Sequence, residues 1–176
     1  MQIIKNKKQQ EKKIAGFTLI EMLAVLFIAV LMSTAILVNY NSGQTVTRVN
    51  ASAQRLAADF RQAQNLALSG KAQGGVMPKG YGIYSQSSSQ YVLFYNTVEN
   101  SKFNPESIVL DTINLSDVTL LPVGVTVFFT PPNPSICVVD DADLPGVSNR
   151  DQVFTLTAGS LVKTVSIHQG GRVEIN

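Results

Sequence analysis

The first hydrophobic pattern in the chain is a long apolar run near the N-terminus. From Phe17 to Val38 the sequence FTLIEMLAVLFIAVLMSTAILV contains a single charged residue, Glu21, and three hydroxyl side chains. As an α-helix this run is about 33 Å long, which matches the hydrocarbon thickness of a bilayer. No small-residue cleavage site precedes the polar stretch NYNSGQT, so the pattern favours a retained membrane helix over a removed secretory signal.

A second, one-sided hydrophobic pattern follows the polar stretch. Its apolar residues recur at steps of three and four, which predicts an amphipathic helix. This stripe comprises Val46, Val49, Ala53, Leu56, Phe60, Ala63 and Ala67. Arg55 and Asp59 lie off the stripe at the spacing of an i,i+4 ion pair, and Gly70 is the predicted stop. We expect one nearly continuous helix from Phe17 to about Ser69, with the stripe packed on the protein's own domain rather than only on a partner helix.

From about residue 76 onward the pattern is that of β-strands. Short runs rich in aromatic and β-branched residues, YGIYS and QYVLFYN, predict a hairpin, and ESIVLDTINL and GVTVFFT predict further strands. A long loop follows, in which ICVV is a possible short strand. QVFTLTAGSLVKTVSI predicts two strands around AGS, and HQGG turns into the last strand, RVEI, with Gly170 and Gly171 suited to positive φ. Because no helix separates the strands, we expect antiparallel sheets and an α+β fold.

The charge of the chain is unevenly distributed. Residues 1–16 carry five lysines and one glutamate, a formal charge of +4, whereas the remainder sums to −2. By the positive-inside rule the lysine-rich end stays cytoplasmic, so the C-terminal part is predicted to lie across the membrane. Cys137 is the sole cysteine, which excludes an internal disulfide and is typical of a small buried apolar residue.

Residues typical of catalysis are sparse. His168 is the one histidine, it lies beside the QGG turn, and no Ser-His-Asp or Cys-His grouping is suggested by the spacing. KAQGGVMPKG contains glycines but lacks the strand, loop and helix context of a phosphate-binding loop. The sequence therefore predicts a protein that is not an enzyme and a His168 that is a strand-end residue.

Gly16, Phe17 and Glu21, in GFTLIEMLAVLFIAV, carry a family resemblance. With the basic leader before them, they resemble the N-terminal signature of type IV pilins and of the pseudopilins of type II secretion and DNA-uptake systems. The resemblance implies cleavage between Gly16 and Phe17 by a prepilin peptidase and N-methylation of Phe17. It also implies a subunit first held in the cytoplasmic (inner) membrane, with its head outside, and then assembled with other pilin or pseudopilin subunits into a pilus-like fibre.

The resemblance also implies a role for Glu21. A carboxylate at the centre of a bilayer is costly, but Glu21 lies near the end of the run, where the cost is lower. In a bundle of helices an unpaired carboxylate would be unfavourable, whereas a paired one is favourable. Cleavage creates a partner, the amine of Phe17, and in the family this pair forms between neighbouring subunits and sets their register.

The rest of the chain resembles the family less specifically. ASAQRLAADFRQAQNLALSG, the aromatic hairpins and the C-terminal GGRVEIN are similar to minor pseudopilins of the H type and to FimT-type minor pilins, which carry a small head of two antiparallel sheets. The expected parts are a cleaved leader, residues 1–16; a membrane or fibre-core helix, 17–38; an amphipathic helix, 39–70; and a β head, 71–176. A membrane-anchored β domain that never polymerises is the plainer alternative.

The loop DDADLPGVSNRD is a weak candidate for calcium. Its carboxylates belong to Asp140, Asp141, Asp143 and Asp151, and hard oxygen ligands suit Ca²⁺. Some pseudopilins carry calcium in a head loop, but the spacing is not that of an EF-hand, so no cofactor is the primary expectation.

Nucleic acid is a second alternative partner, because some minor pilins take up DNA. Arg150, Lys163 and Arg172 lie in the C-terminal region and could share a face. Phosphate binding requires a net basic patch, however, and the residues after Val38 include nine basic and ten acidic ones. Nucleic-acid binding is therefore not the expected function.

Overall fold

The computed structural model describes residues 16–132, 135–141 and 150–176, without the side chains of 35–42 and 135. Within these residues one helix, α1, is followed by nine strands. The elements are α1 Leu19–Ser69, β1 Gly80–Ser87, β2 Gln90–Asn96, β3 Ile108–Asn114, β4 Thr119–Leu121, β5 Val125–Thr130, β6 Ser135–Asp140, β7 Gln152–Ala158, β8 Leu161–Ile167 and β9 Val173–Ile175. The predicted α+β class, a long N-terminal helix followed by two antiparallel sheets, is confirmed.

The chain divides into two compact units between Asn41 and Ser42. The first unit contains the N-terminal part of α1, and the second contains the remainder of α1 with all the strands. The predicted bounds at 16/17, 38/39 and 70/71 stay predictions, because a division by packing does not test where a leader is cut or where a membrane helix ends.

The five-stranded sheet has the order β3-β2-β1-β5-β6, with every neighbouring pair antiparallel. The predicted β1–β2 hairpin is present, with Ile83 opposite Leu93. The ICVV segment is a full strand of this sheet, since β6 pairs with β5 along its length.

The four-stranded sheet has the order β4-β7-β8-β9. The pair β7–β8 and the last strand β9 lie where their sequence patterns place them. Gly171, with φ of 82°, supplies the left-handed residue of the last turn, and Gly70, with φ of 54°, follows the end of α1 as predicted. Strand β4 is not apparent from the pattern, because only three residues pair before Pro122.

The main core lies between the C-terminal part of α1 and the two sheets. The stripe of α1 is buried except for Val46, which is exposed, and Ala57 joins it. The inward side chains of both sheets complete this core; the largest fully buried ones among them are Tyr81, Tyr91, Phe129 and Phe154. Phe60 contacts Phe154 with ring centroids 5.5 Å apart. The expectation that the stripe packs on the protein's own domain is confirmed.

One polar group enters the margin of this core from α1. The side chain of Asp59 accepts a 2.6 Å hydrogen bond from the Tyr91 hydroxyl and lies 3.9 Å from Arg55, the predicted i,i+4 pair. Arg55 also lies 3.6 Å from Asp111 on β3. Burial raises the pKa of the Asp59 carboxyl despite these partners.

The opposite face of the five-stranded sheet is covered by the chain itself. The segment between β2 and β3 places Phe103 over Tyr84, with ring centroids 4.7 Å apart, and edge-on to Phe94, at 5.1 Å. Gly82 makes room for the rings of Phe94 and Phe128, since a Cβ there would lie 2.8 Å from Phe94 and 2.9 Å from Phe128. Buried Asn96 anchors the segment by donating to the carbonyls of Asn100 and Lys102. This second, smaller core also holds Cys137, which is buried as expected.

Candidate functional site at the N-terminal run

The candidate site begins at the start of α1. Thr18 caps the helix, because its side-chain oxygen accepts the amide of Glu21 at 3.3 Å and its carbonyl accepts the amide of Met22 at 3.2 Å. Glu21 therefore occupies the third helical position, where a carboxylate is favoured by the helix dipole. The spacing Thr-x-x-Glu before an apolar run is the sequence signal for this cap.

Neither packing nor backbone conformation requires glycine at position 16. A Cβ built on Gly16 meets no other atom within 4 Å, and its φ lies outside the left-handed region. Phe17, the next residue, is 76% exposed. Glycine at this position is therefore not explained by packing or by backbone conformation, which leaves recognition by another molecule as a reason for it.

The apolar side chains that follow are exposed along the described run. From Leu19 to Thr34 every side chain is exposed, and almost all of these side chains are apolar. Within the described residues, no helix meets the length and hydropathy required to cross a membrane. The predicted membrane helix, residues 17–38, includes positions 35–38, whose side chains the structure does not describe, and this helix stays a prediction.

The hydroxyl groups of the run are bonded within the helix. Ser33 donates to the carbonyl of Ala29 at 2.8 Å, and Thr34 donates to the carbonyl of Leu31 at 2.8 Å. With Thr18 at the cap, all three hydroxyl side chains have an internal partner. A helix whose hydroxyl groups are bonded in this way can enter an apolar environment without leaving those groups unpaired.

The described candidate calcium ligands, Asp140, Asp141 and Asp151, are already in contact with cations or donors. Asp140 pairs with Arg150, while Asp141 accepts the Tyr84 hydroxyl at 2.8 Å and lies 3.5 Å from Lys102. Both aspartates line one open cleft with Arg150 and Asp151. Asp143 lies outside the described residues, among which no group of three potential ligands converges. Calcium binding stays a prediction.

The three candidate nucleic-acid residues differ in their surroundings. Arg150 pairs with Asp140 at the end of β6, and Arg172 lies 3.0 Å from Glu174. Lys163 lies opposite buried Leu156, on the face of β8 that turns toward the core. Two of the three cations therefore already face carboxylates, and the nucleic-acid alternative stays untested.

His168 follows β8, as expected, but its partners were missed. Its Nδ1 lies 3.0 Å from Asp151 and its Nε2 lies 3.2 Å from Glu174. These hydrogen bonds raise the pKa of His168, and the bond to Asp151 has the larger effect. The pKa of Asp151 is lowered, mainly by the hydrogen bond from the Gln169 amide and to a smaller degree by the bond with His168. The arrangement joins the start of β7 to the last turn. No local signal predicts the contact with Asp151, which is seventeen residues away, whereas Glu174 is six residues away, across the last turn.

Comparison with known families identifies the N-terminal run. Residues 12–37 match the model described as the prokaryotic N-terminal methylation motif, which is the motif of prepilin-type proteins. The match includes Gly16, Phe17 and Glu21 and covers only the N-terminal part of the chain. The curated proteins and the solved structures show no match to this chain.

Proposed function

We propose that the chain is a prepilin-type subunit that works by assembly and performs no catalysis itself. A prepilin peptidase cleaves it between Gly16 and Phe17, and Phe17 becomes the methylated N-terminus. The apolar run holds the subunit in the cytoplasmic membrane with its β head outside, and the fibre assembly machinery then moves it into a pilus-like fibre with other pilin or pseudopilin subunits.

The observation that carries the proposal is the position of the methylation motif. It coincides with an exposed apolar helix whose hydroxyl groups are bonded internally, and it precedes a head that has its own core. An exposed apolar surface of this size is typical of a segment that meets lipid or other protein. A fibre subunit needs both surroundings in turn, lipid before assembly and neighbouring helices afterwards.

Within this class we favour a minor or accessory subunit. Support comes from the sequence similarity to H-type pseudopilins and FimT-type minor pilins, and the two-sheet head is consistent with it. The same subunit would serve a type II secretion system, a type IV pilus or a DNA-uptake system, and the sequence does not favour one of them.

The Gly16→Ala variant tests the proposal. Because a Cβ at this position meets no atom of the fold, the variant should fold normally, and a defect would report recognition by the peptidase. We expect the leader to be uncut or cut slowly, as measured by mass spectrometry of the membrane fraction. Gly43→Ala is the matched control, since a Cβ there also meets no atom, and it should be cut at the normal rate. Efficient cleavage of Gly16→Ala, or cleavage at another site, would contradict the prepilin assignment.

A further inference from the structure

The segment between β2 and β3, residues 97–107, is attached to the five-stranded sheet at a few points. We call this segment the strap. It belongs to no strand, and none of its residues is buried. Its one aromatic side chain, Phe103, is half-buried and packs on Tyr84 and Phe94. Segments with few buried contacts and no ladder of backbone hydrogen bonds are the ones that open locally while the rest of a fold stays intact.

One attachment of the strap is a buried amide at the end of β2. The side chain of Asn96 donates to the carbonyls of Asn100, at 2.6 Å, and Lys102, at 3.1 Å. Its oxygen accepts the Ser107 hydroxyl at 2.7 Å. Asn96 is only 1% exposed, so these bonds are shielded from water. The amide therefore gathers both ends of the strap at one fixed point.

The other attachment of the strap is made by charge. The Lys102 ammonium lies 2.9 Å from the carbonyl oxygen of Asp141, 3.4 Å from that of Asp140 and 3.5 Å from the Asp141 carboxylate. The second carboxylate oxygen of Asp141 accepts the Tyr84 hydroxyl at 2.8 Å. We call the contacts between Lys102 and Asp141 the clasp. The clasp joins the strap to the end of β6, and through Tyr84 to β1.

An apolar floor lies beneath the strap. Its five residues are at most 5% exposed, and they are Val92, Phe94, Phe128, Cys137 and Val139. Phe103 of the strap packs against this floor together with Tyr84. The floor is a cluster separate from the main core, which lies on the other face of the sheet. Movement of the strap therefore disturbs none of the contacts between α1 and the sheets.

We propose that the strap opens as a unit while the rest of the head stays folded, and that the clasp controls this opening. The Lys102 and Asp141 side chains are 27% and 52% exposed, so water can replace each partner when the clasp parts. The buried bonds of Asn96 then act as the hinge. The closed head presents a polar strap, whereas the open head presents the apolar floor. Opening is a property of the head and does not depend on the prepilin assignment.

The thiol of Cys137 reports the opening, because it is the one thiol of the chain and is buried in the floor. Its reaction with iodoacetamide is measured on the full chain in detergent at increasing urea, and tyrosine fluorescence follows global unfolding in the same samples. The thiol should react faster than global unfolding allows, and its rate at low urea should depend only weakly on urea. A rate with the full urea dependence of global unfolding would overturn the proposal.

The clasp is tested by Lys102→Met, which removes the ammonium and keeps an unbranched side chain. Loss of this charge-assisted contact should raise the reaction rate of the thiol about tenfold. Lys79→Met is the matched control. Lys79 lies 3.5 Å from Glu99 of the strap, but this pair is well exposed, so its loss should change the rate less than about twofold. Equal rates in the two variants would show that the clasp does not control the opening.

A core variant separates local opening from global unfolding. Ile167 is fully buried in the main core, on β8. Ile167→Val should make global unfolding about fivefold more favourable. Because the open and closed heads share this core, the variant should leave the reaction rate of the thiol unchanged. A fivefold faster reaction in Ile167→Val would show that the thiol reacts through global unfolding, and the proposal would fail.

A last variant separates movement of the strap from fraying of β6, the edge strand that carries Cys137. The ring of Phe103 stacks on Tyr84 of β1 and contacts Phe94 of β2. Phe103→Ala therefore loosens the strap without removing a backbone pair of β6, and it should raise the rate at least as much as Lys102→Met. If Phe103→Ala reacts at the wild-type rate, β6 exposes the thiol by itself and the strap does not open.

Discussion

The two parts of α1 are both helical, but they differ in the exposure of their apolar side chains and in the partners of their polar groups. Between Leu19 and Thr34 the side chains are apolar on all sides and exposed. Between Val49 and Ala67 they are apolar on one side, and that side is buried. The first part satisfies its hydroxyl groups within the helix, whereas the second bonds its polar groups to the strands, as Asp59 does with Tyr91.

The difference shows which surroundings each part requires. A helix that buries a single stripe against its own sheets gains stability from tertiary packing. A helix that is apolar on all sides is unfavourable in water, and its side chains are stabilised only by contact with lipid or with other helices. The same element therefore serves the stability of the head at one end and the contacts of the whole subunit at the other.

The largest effect is expected from a matched pair of phenylalanine truncations. Phe60 is fully buried against Phe154, so Phe60→Ala should lower the free energy of unfolding of the head by about 3–5 kcal/mol. Phe27 is 63% exposed, and Phe27→Ala should leave that free energy within about 0.5 kcal/mol of the wild type. Urea unfolding of the full chain in detergent, followed by tyrosine fluorescence, measures both. Equal losses would show that the two parts do not differ as described.

A comparable effect, on assembly instead of stability, is expected at Glu21. Under the proposed function, Glu21→Leu should leave cleavage intact but remove the partner of the Phe17 amine on a neighbouring subunit. Loss of one member of a buried pair costs about 3–5 kcal/mol, so incorporation into fibres should fall strongly. Glu21→Gln should show a weaker form of the defect. Crosslinking in cells that express the whole machine measures incorporation, and wild-type levels of Glu21→Leu in fibres would contradict the pairing.

A smaller effect is expected at the cap of the exposed part. Thr18→Ala removes the side-chain acceptor of the Glu21 amide and should destabilise the first turn by about 1 kcal/mol. Hydrogen exchange of the Glu21 amide in micelles should become about fivefold faster, which is the factor for that free energy. Thr18→Ser keeps the acceptor and should exchange like the wild type. An unchanged rate in Thr18→Ala would show that the cap does not stabilise this end.

The smallest effect concerns the polar contact of the buried part. The raised pKa of Asp59 means that the folded state binds its proton more tightly than the unfolded state, so this contribution to stability is present below pH 3.8 and is lost as pH rises through the folded pKa. Asp59→Asn is neutral at every pH and keeps an oxygen to accept the Tyr91 hydroxyl. The variant should be at least as stable as wild type at neutral pH and should vary less with pH between pH 3.5 and 6.

Thermal unfolding across this pH range measures the effect of Asp59→Asn. Glu106→Gln, at an exposed turn, is the control for loss of a carboxylate and should keep the wild-type pH dependence. A clear loss of stability in Asp59→Asn at neutral pH would show that the ion pair with Arg55 outweighs the burial of the carboxylate.

Much of the fold was predictable because its signals are local. The stripe of α1, the Arg55–Asp59 pair, the stop at Gly70 and the hairpin β1–β2 all follow from spacings of a few residues. Strand β4 was missed because three residues carry too little pattern. Thr18 was missed although its signal, Thr-x-x-Glu, is present in the sequence.

The surroundings of the candidate charged residues could not be predicted. Whether Arg150 and Arg172 are available to a phosphate depends on their ion pairs with Asp140 and Glu174. The surroundings of His168 depend on Asp151, which directly precedes β7. Arg150 and Asp140 are ten residues apart and His168 and Asp151 are seventeen apart, so only the tertiary structure brings these pairs together. Arg172 and Glu174, by contrast, are two residues apart in the sequence.

By itself, the sequence determined the N-terminal motif, the apolar run and the succession of one helix and many strands, because each depends on residues close together in the chain. Only the tertiary structure decided which sheet each strand joins and which outer face is covered by Phe103. These depend on contacts between segments far apart in sequence, where packing and backbone pairing outweigh local preference.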